Sequence, residues 1–326
     1  MASFRKVGKK TEASVCVNGK RRSKTFDTQA KAKSWAVDME EELSSLADGV
    51  SLTHTLGDAL AEYLDKVSIK KKGYKKEANF ISALQKRKIA QLLLNELELS
   101  HFEEFIEERQ KDKVKPSTIN RELNVISHCL TTCRRWKWMT KNPMKDLQRP
   151  KDPPPRDRRV SDEELEQLAF ALNYDETQPI TQKKQRVYLA FEFAIETAMR
   201  LSEICRLTNE HINWKKRTAY LPETKNGRPR TVPLSSRAIA ILKRLPKTEE
   251  PVFELKETTT DTLFRKAKAK TLIKNLHFHD SRHEATTRLA QKLEVLDLAR
   301  VTGHRDLNML MVYYNKTAEE LAGQLD

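Results

Sequence analysis

His279-Asp-Ser-Arg282-His283 is the most distinctive stretch of this 326-residue chain. Gly303-His304 and Tyr313-Tyr314 follow it, and Arg200 precedes it. Arginine presents a planar fork of N–H donors that matches phosphate oxygens, and tyrosine can act as a nucleophile. Histidine can donate a hydrogen bond or transfer a proton beside them. This set of side chains indicates phosphoryl transfer.

The overall charge suggests whose phosphate is involved. The chain has 61 Lys and Arg against 46 Asp and Glu, a formal net charge of +15. Such a surplus of positive charge favours a polyanionic partner. We therefore favour a protein that binds nucleic acid over a basic protein without such a partner. No apolar run approaches the roughly 20 residues that span a bilayer. No apolar segment follows the basic N-terminus as it would in a secretion signal. We therefore expect a cytoplasmic protein with no membrane partner.

The cysteine pattern supports the same compartment. The chain has four cysteines and no CxxC pair, and we expect buried thiols in a reducing environment. They are Cys16, Cys129, Cys133 and Cys205. Only eight glycines occur, and long stretches show helical periodicity. We therefore predict a mainly α protein with small β-sheets.

A small DNA-binding sheet is predicted for residues 1–50. Ala13–Val17 and Arg22–Phe26 are typical of strands, and Asn18-Gly19 favours a two-residue hairpin turn between them. Thr28 can cap a following helix, one face of which is apolar. That face consists of Ala32, Trp35, Ala36 and Met39. The basic strands, with Lys20, Arg21 and Arg22, either enter a DNA groove or form a solvated charged hairpin.

A helical domain is predicted for residues 54–148. The segment Lys115-Pro-Ser117 begins a long helix, with Ser117 as its expected cap. Arg134 and Arg135 at its far end can contact phosphates, whereas the interleaved Trp136 and Trp138 are more typical of a core. Lys71 and Lys72 belong to a basic loop that either contacts the DNA backbone or is solvated.

A proline-rich linker is predicted for residues 149–160. Pro153-Pro154-Pro155 cannot continue a helix, and the basic flank suits a linker lying along a nucleic-acid backbone. That flank includes Arg158 and Arg159. Ser161-Asp-Glu-Glu164 is a capping box that begins the domain of residues 161–326. Residues 218–222 and 230–234 are predicted strands with Lys225 at the tip between them. The other predicted elements are helices at 162–172, 183–198, 235–245, 259–270, 280–291, 293–301, 306–313 and 316–325.

Five segments in this last domain resemble, in order and spacing, the motifs of the tyrosine recombinase (phage integrase) family. They are Ala198-Met-Arg200-Leu-Ser-Glu203, Thr224-Lys225-Asn-Gly-Arg-Pro-Arg-Thr-Val-Pro-Leu234, His279-Asp-Ser-Arg282-His283, Thr302-Gly-His304, and Tyr313 nine positions after His304. The chain has Ala198 where the family often has Gly, Ser281 where Leu is usual, and Thr302 where Leu is common. None of these departures removes a catalytic functional group.

The resemblance implies three domains: an arm-type DNA-binding domain, a helical core-binding domain and a mixed α/β catalytic domain. It implies that Tyr313 attacks a DNA phosphodiester to give a 3′-phosphotyrosine, without ATP, metal or any other cofactor. Tyr314, one residue on, is the alternative nucleophile.

Each remaining motif residue has an expected role and a simpler alternative. Arg200 and Arg282 stabilise the phosphorane, although a lone arginine is more often a surface ion pair. Lys225 delivers a proton to the leaving 5′ oxygen or only contacts phosphate. His279 assists proton transfer and His304 hydrogen-bonds a non-bridging oxygen, although a lone histidine is more often structural. We expect His283 to make a structural contact and Glu203 to orient a basic side chain or to pack locally.

The predicted partners are double-stranded DNA carrying specific recombination sites and three further copies of the chain, which together form a tetramer on DNA. Accessory DNA-bending or directionality proteins are further expected partners. The expected activity is integration or excision of a phage or mobile element. The alternatives are a shufflon-type invertase, a type IB topoisomerase and a DNA-binding regulator without catalysis.

Overall fold

The computed structural model describes residues 2–8, 10–17, 20–47, 53–154, 156–224, 227–246 and 251–314, without the side chains of Lys20 and of residues 41–47. The chain forms two compact units, Met1–Pro154 and Pro155–Asp326. The division falls within the predicted linker, residues 149–160. Among the described residues, no helix is long and apolar enough to cross a membrane.

The N-terminal sheet has three antiparallel strands rather than the two that were predicted. In sheet order they are β1 (Ala2–Val7), β2 (Lys10–Val17) and β3 (Lys20–Phe26). Strand β1 was not predicted because its polar sequence shows no alternation of apolar residues. Its backbone hydrogen bonds to β2 place it in the sheet. Helix α1 (Gln29–Ala47) follows, and the Thr28 hydroxyl accepts from the Lys31 amide as the predicted cap.

One face of this sheet packs against α1, and the other is open. The predicted apolar face of α1 is confirmed, because Ala32 and Ala36 are buried against Ala13 and Val15 of β2. Side chains alternate along a strand, so Cys16 lies on the opposite face and is exposed. The prediction of a buried thiol is therefore wrong for Cys16, whereas the other three cysteines are buried as expected.

Among the described residues, the rest of the first unit contains four α-helices and two short 3-10 helices, Ser68–Lys70 and Lys88–Gln91. The α-helices are α2 (Leu56–Lys66), α3 (Tyr74–Leu84), α4 (Leu99–Lys111) and α5 (Pro116–Arg135). Helix α5 begins with Pro116 in its first turn and has no side-chain cap, so the predicted Ser117 cap is wrong. Trp136 and Trp138 pack against the core, as predicted, and the Trp138 ring stacks on His54.

The second unit is a helical domain built around one apolar helix. In it, α7 (Lys183–Thr197) packs against several other helices and is buried on most sides. The Ser161 capping box at the start of α6 is confirmed. The remaining elements are α6 (Asp162–Ala171), α8 (Leu201–Ile204), β4 (Ile212–Asn213), β5 (Thr218–Leu221), β6 (Arg230–Pro233), α9 (Ser236–Arg244), α10 (Glu257–Lys268), α11 (Asp280–Ala290), α12 (Val295–Thr302) and α13 (Asn308–Met311).

Most predicted elements of this unit agree with the structure to within a few residues. Strands β5 and β6 pair antiparallel, which confirms the predicted hairpin, and β4 adds a short third strand that was not predicted. The predicted last helix, residues 316–325, lies outside the described residues, as do Lys225 and the Asn18-Gly19 turn.

Arginines of the predicted linker bind carboxylates of the second unit. The Arg156 guanidinium donates to both oxygens of Asp280, at 3.0 and 2.8 Å. Arg158 donates to Glu164 at 2.9 Å. Arg159 donates to Glu284 at 2.6 and 3.0 Å. These bonds attach the start of the unit to the first turn of α6 and to the first two turns of α11.

Glu284 is the most deeply buried of these carboxylates, since its side chain is only 1% exposed. Burial alone would raise its pKa, but hydrogen bonds from Arg159, Arg288 and the Val160 amide outweigh burial and lower the pKa to about 2. The charged carboxylate is therefore the form that the fold stabilises.

Replacing Glu284 with glutamine should lower stability in a pH-dependent way. Because the pKa of Glu284 is lowered in the folded state, its carboxylate stabilises the fold at pH values above the ordinary pKa of about 4.3. This contribution is lost as the pH falls towards 2. The urea midpoint of E284Q should therefore lie below that of wild type at pH 6 and converge with it between pH 4.5 and 2. This midpoint is measured as the urea concentration at which residues 156–314 of the full chain become susceptible to proteolysis. The exposed Glu166→Gln is the control, and an equal deficit at every pH would contradict the linkage.

Candidate active site

Two helix ends with left-handed backbone shape the site. Helix α7 ends at Ala198 with a φ of +53°, and α12 ends at Gly303 with a φ of +73°. A left-handed residue turns the chain sharply after a helix. Arg200 follows the first turn as the residue before α8, and His304 follows the second. The first turn also explains why glycine is frequent where this chain has Ala198, since glycine adopts a positive φ without strain.

Arg282 joins these two helix ends. Its guanidinium donates to the Ala198 carbonyl and, at 2.6 Å, to the Thr302 carbonyl. Carbonyls at helix C-termini carry partial negative charge, which favours a cation there. The residue is 5% exposed, and burial, followed by the neighbouring Arg200 and Arg230, lowers the pKa of Arg282 to about 9. Arg282 therefore remains a cation at neutral pH.

Arg200 is oriented by Glu203, one turn later. Glu203 accepts from the Arg200 backbone amide at 2.9 Å and from the Arg200 guanidinium at 3.0 Å. It also accepts two bonds from Arg230 of β6, at 2.8 and 2.6 Å. Burial opposes the charge on Glu203, but the bonds from Arg230 and Arg200 lower its pKa below the ordinary value. Glu203 therefore orients two basic side chains, which is one of the two roles predicted for it.

Arg230 is a residue of the site that the sequence analysis left without a role. Besides its two bonds to Glu203, its Nε donates to the Val301 carbonyl at 3.0 Å. Its side chain also lies against Gly303. Arg230 thus connects the hairpin strand β6 to Glu203 of α8 and to the end of α12. Its position within the hairpin motif could have identified Arg230 from the sequence. A basic residue five positions after Lys225 can face Glu203, the acidic residue of the first arginine motif.

His304 lies next to the two catalytic arginine candidates. Its Nδ1 is 2.7 Å from the Thr302 hydroxyl. Burial, followed by Arg282, Arg200 and Arg230, lowers the pKa of His304 to about 4. The ring is therefore neutral at pH 7 in the absence of an anion.

The two adjacent tyrosines have different surroundings. The Tyr314 hydroxyl donates to the Leu293 carbonyl at 2.7 Å. The Tyr313 ring lies 5.1 Å from the His283 ring, which agrees with a structural contact for this histidine. Burial raises the pKa of Tyr313, Arg282 lowers it and Asp157 raises it further, so the phenol is protonated at neutral pH.

The structure brings four of the six predicted catalytic residues into one electrostatic cluster. Arg200 lowers the pKa of both Arg282 and His304, Arg282 also lowers that of His304, and Tyr313 interacts with Arg282. His279 is exposed and lines a cavity of about 190 Å³ together with Ser281 and Arg282. Lys225 lies outside the described residues, but its neighbours Thr224 and Gly227 are joined by a 3.0 Å backbone hydrogen bond.

The predicted DNA contacts fall into two groups. Arg21, Arg22, Lys72, Arg134 and Arg135 are exposed. By contrast, Lys71 donates to Glu77 at 2.6 Å, and the linker arginines Arg158 and Arg159 bind Glu164 and Glu284. The side chain of Lys20 is not described. The pairing of Arg159 could not be recognised from sequence, because its partner Glu284 lies 125 positions away.

Comparisons with known proteins agree with this geometry. The profile of the phage integrase family matches residues 158–320. A Haemophilus influenzae protein, provisionally named integrase/recombinase, is 41% identical over 96% of this chain and 87% of its own length. The shufflon-specific DNA recombinase of Escherichia coli is 33% identical over 83% of this chain and 72% of its own length.

Solved structures share the fold. The Tn1549 transposon integrase, in complex with circular intermediate DNA, superposes with a TM-score of 0.65 at 18% identity, covering 84% of this chain and 100% of that one. The lambda integrase tetramer bound to a Holliday junction gives a TM-score of 0.64 at 17% identity, covering 90% of this chain and 89% of that one.

Replacing Gly303 with alanine should distort the site. A left-handed alanine costs about 1–2 kcal/mol. The new Cβ would also lie 3.2 Å from Arg230 Cδ, so Arg230 must shift. We expect a lower urea midpoint and weaker catalysis. The control is Gly73→Ala, because Gly73 has a φ of −91° and no neighbouring atom within 4 Å of its added Cβ. Equal effects of the two substitutions would contradict this account.

Proposed function

Because the chain belongs to the phage integrase family of tyrosine recombinases and is a site-specific DNA recombinase, we propose that Tyr313 is its nucleophile. The observation that carries this assignment is the interaction of Tyr313 with Arg282, the guanidinium that also interacts with Arg200 and His304. The Tyr314 hydroxyl already has the Leu293 carbonyl as its acceptor, which favours Tyr313 of the two.

The proposed cleavage exchanges one phosphodiester for another. The Tyr313 oxygen forms a bond to phosphorus, and the bond from phosphorus to the 5′ oxygen breaks. A 3′-phosphotyrosine and a free 5′ hydroxyl result. Lys225 supplies the proton for the leaving oxygen, and His279 assists removal of the tyrosine proton. Attack by the 5′ hydroxyl of a partner strand reverses these steps, so ester energy is retained and ATP is not consumed.

The arginines provide the electrostatic part of this mechanism. Two fixed guanidinium groups can neutralise the additional charge of a pentacoordinate phosphorus, and they are already oriented before DNA binds. Arg282 is held by two carbonyls and Arg200 by Glu203. A bound phosphate also places negative charge beside His304, which favours a proton on its ring.

Three domains would share the recognition of DNA. Separate hydrophobic clusters in the sheet, the helical region and the second unit support the proposed domains, residues 1–50, 54–148 and 161–326, with a linker at 149–160. The open face of the N-terminal sheet is the proposed arm-site surface, since Arg21 lies there and donates to Ser14 at 2.8 Å. Exposed Arg22, Lys72, Arg134 and Arg135 are the other proposed contacts.

The proposed assembly is a tetramer acting on two DNA duplexes, in the cytoplasm of a bacterium or phage-infected cell. The lambda integrase, whose fold this chain shares, has been solved as a tetramer on a Holliday junction. Accessory DNA-bending or directionality proteins are proposed as additional partners. Integration or excision of a mobile element is the favoured biological outcome, because the chain is 41% identical to a protein named as an integrase/recombinase.

Inversion of a DNA segment is the second candidate outcome. The shufflon-specific recombinase is 33% identical over most of this chain, whereas the integrase of Escherichia phage P2 is 28% identical over 65% of it. Both outcomes use the same strand exchange, so the arrangement of DNA sites distinguishes them.

Replacing Tyr313 with phenylalanine should abolish formation of a covalent protein–DNA adduct. The probe is a duplex carrying the sequences that flank the gene, and adducts are separated by denaturing electrophoresis. Tyr314→Phe is the matched control and should retain most of the adduct. An adduct with Tyr313→Phe as abundant as that of wild type would refute the assignment.

Plasmid assays should distinguish integration from inversion. One reporter carries the two flanking sequences on separate molecules, and another carries them as inverted repeats on one molecule. An integrase should join the separate molecules, whereas an invertase should act on the inverted pair. Supercoil relaxation of DNA lacking both sequences would instead indicate a topoisomerase.

A further inference from the structure

His279, which is proposed to assist removal of the tyrosine proton, lies between two buried residues. It immediately precedes α11, and its own side chain is exposed. Phe278 before it is 5% exposed and packs against the rings of Phe191 and Phe264. Asp280 after it is 4% exposed. Buried groups on both sides therefore fix the backbone from which the exposed imidazole projects.

The Asp280 carboxylate is compensated by Arg156, as a buried charge requires. Arg156 Nε donates to Oδ1 at 3.0 Å and Nη2 donates to Oδ2 at 2.8 Å, which makes the pair bidentate. The His277 backbone amide also donates to Oδ2, at 2.8 Å. One carboxylate thus closes the segment of residues 277–280, which contains His279, and joins it to a residue 124 positions earlier.

The same arginine holds the turn before this segment. Its Nη1 donates to Asn275 Oδ1 at 3.1 Å, and its Nη2 donates to the Asn275 carbonyl at 2.6 Å. Asn275 has a φ of +54°, which is typical of a turn. Four of the five N–H groups of the Arg156 guanidinium are engaged in these bonds, which leaves it little capacity for a DNA phosphate.

We propose that Arg156 is a positioning residue whose bonds to Asp280 and Asn275 hold the backbone that carries His279. This inference rests on the proposed function, because His279 has its role only there. Arg156 acts through His279 rather than on the DNA phosphate. It is the second residue of the second unit, so the chain enters that unit through the residue that holds the proposed catalytic segment.

Two substitutions separate the partners of this pair. Arg156→Met removes the guanidinium at similar length. Asp280→Asn removes the carboxylate charge but keeps an oxygen for the His277 amide. The matched control is Arg237→Met, which breaks a pair with Glu192 in the same unit. The arginine and carboxylate side chains of that pair are 39% and 13% exposed, against 44% and 5% for Arg156 and Asp280.

Nitrogen NMR of the full chain without DNA tests the contact independently of recombination. Histidine is labelled with ¹⁵N, and the backbone amide signal of His279 is assigned by its loss in His279→Gln. We expect the ¹H–¹⁵N NOE of this amide to fall in R156M and D280N, because the segment becomes more mobile, and to stay at the wild-type value in R237M. A wild-type NOE in D280N overturns the inference, and D280N also decides the outcome if R156M fails to fold around an unpaired Asp280.

Single-turnover cleavage of the flanking-sequence duplex at saturating protein tests the consequence. Loosening a group that assists proton transfer should slow adduct formation about tenfold in R156M and D280N, with DNA affinity unchanged. Neither substitution should slow the reaction further in the His279→Gln background, and R237M should react at the wild-type rate.

Three cleavage results would overturn the inference. They are a wild-type rate in D280N, a further loss in the His279→Gln background, and weaker DNA binding by R156M that D280N does not share, which indicates a phosphate contact. Absence of an adduct with wild type, or a wild-type rate in His279→Gln, instead refutes the proposed function, while the NMR result still decides the contact.

Discussion

The buried guanidinium of Arg282 is the interaction on which the site depends. It donates to two backbone carbonyls, one at the end of α7 and the other at the end of α12. These helices carry Arg200 and His304 immediately after their ends, so the same two bonds set the separation of both residues from Arg282. A buried cation without such partners would be strongly unfavourable, and the two helix ends satisfy it before any substrate is bound.

A second set of bonds extends this arrangement to the hairpin. Glu203 is shared between Arg200 and Arg230, and Arg230 also donates to the Val301 carbonyl near the end of α12. Three arginines and one buried carboxylate therefore leave the site with excess positive charge. That excess suits a phosphodiester, and it also keeps His304 neutral until an anion arrives. The same electrostatics thus serve both substrate binding and the choice of protonation state.

Much of the fold could be predicted from sequence, because local signals determine it, and so could the grouping of four of the proposed catalytic residues. The Ser161 capping box, the hairpin of β5 and β6, and the order of the motifs are examples. The rest depended on tertiary contacts. A polar strand such as β1 has no local pattern, and the partners of Arg156 and Arg159 are distant in sequence. The left-handed Ala198 could not be expected from an alanine.

The carboxylate bonds of the linker have a consequence for the ionic-strength dependence of DNA binding. Salt sensitivity reflects the number of phosphates that a protein neutralises, and a guanidinium compensated by its own carboxylate neutralises few of them. Arg156, Arg158 and Arg159 are compensated in this way. The slope of the logarithm of affinity against that of salt concentration should therefore follow the number of cations without a carboxylate partner, rather than the total number of basic residues.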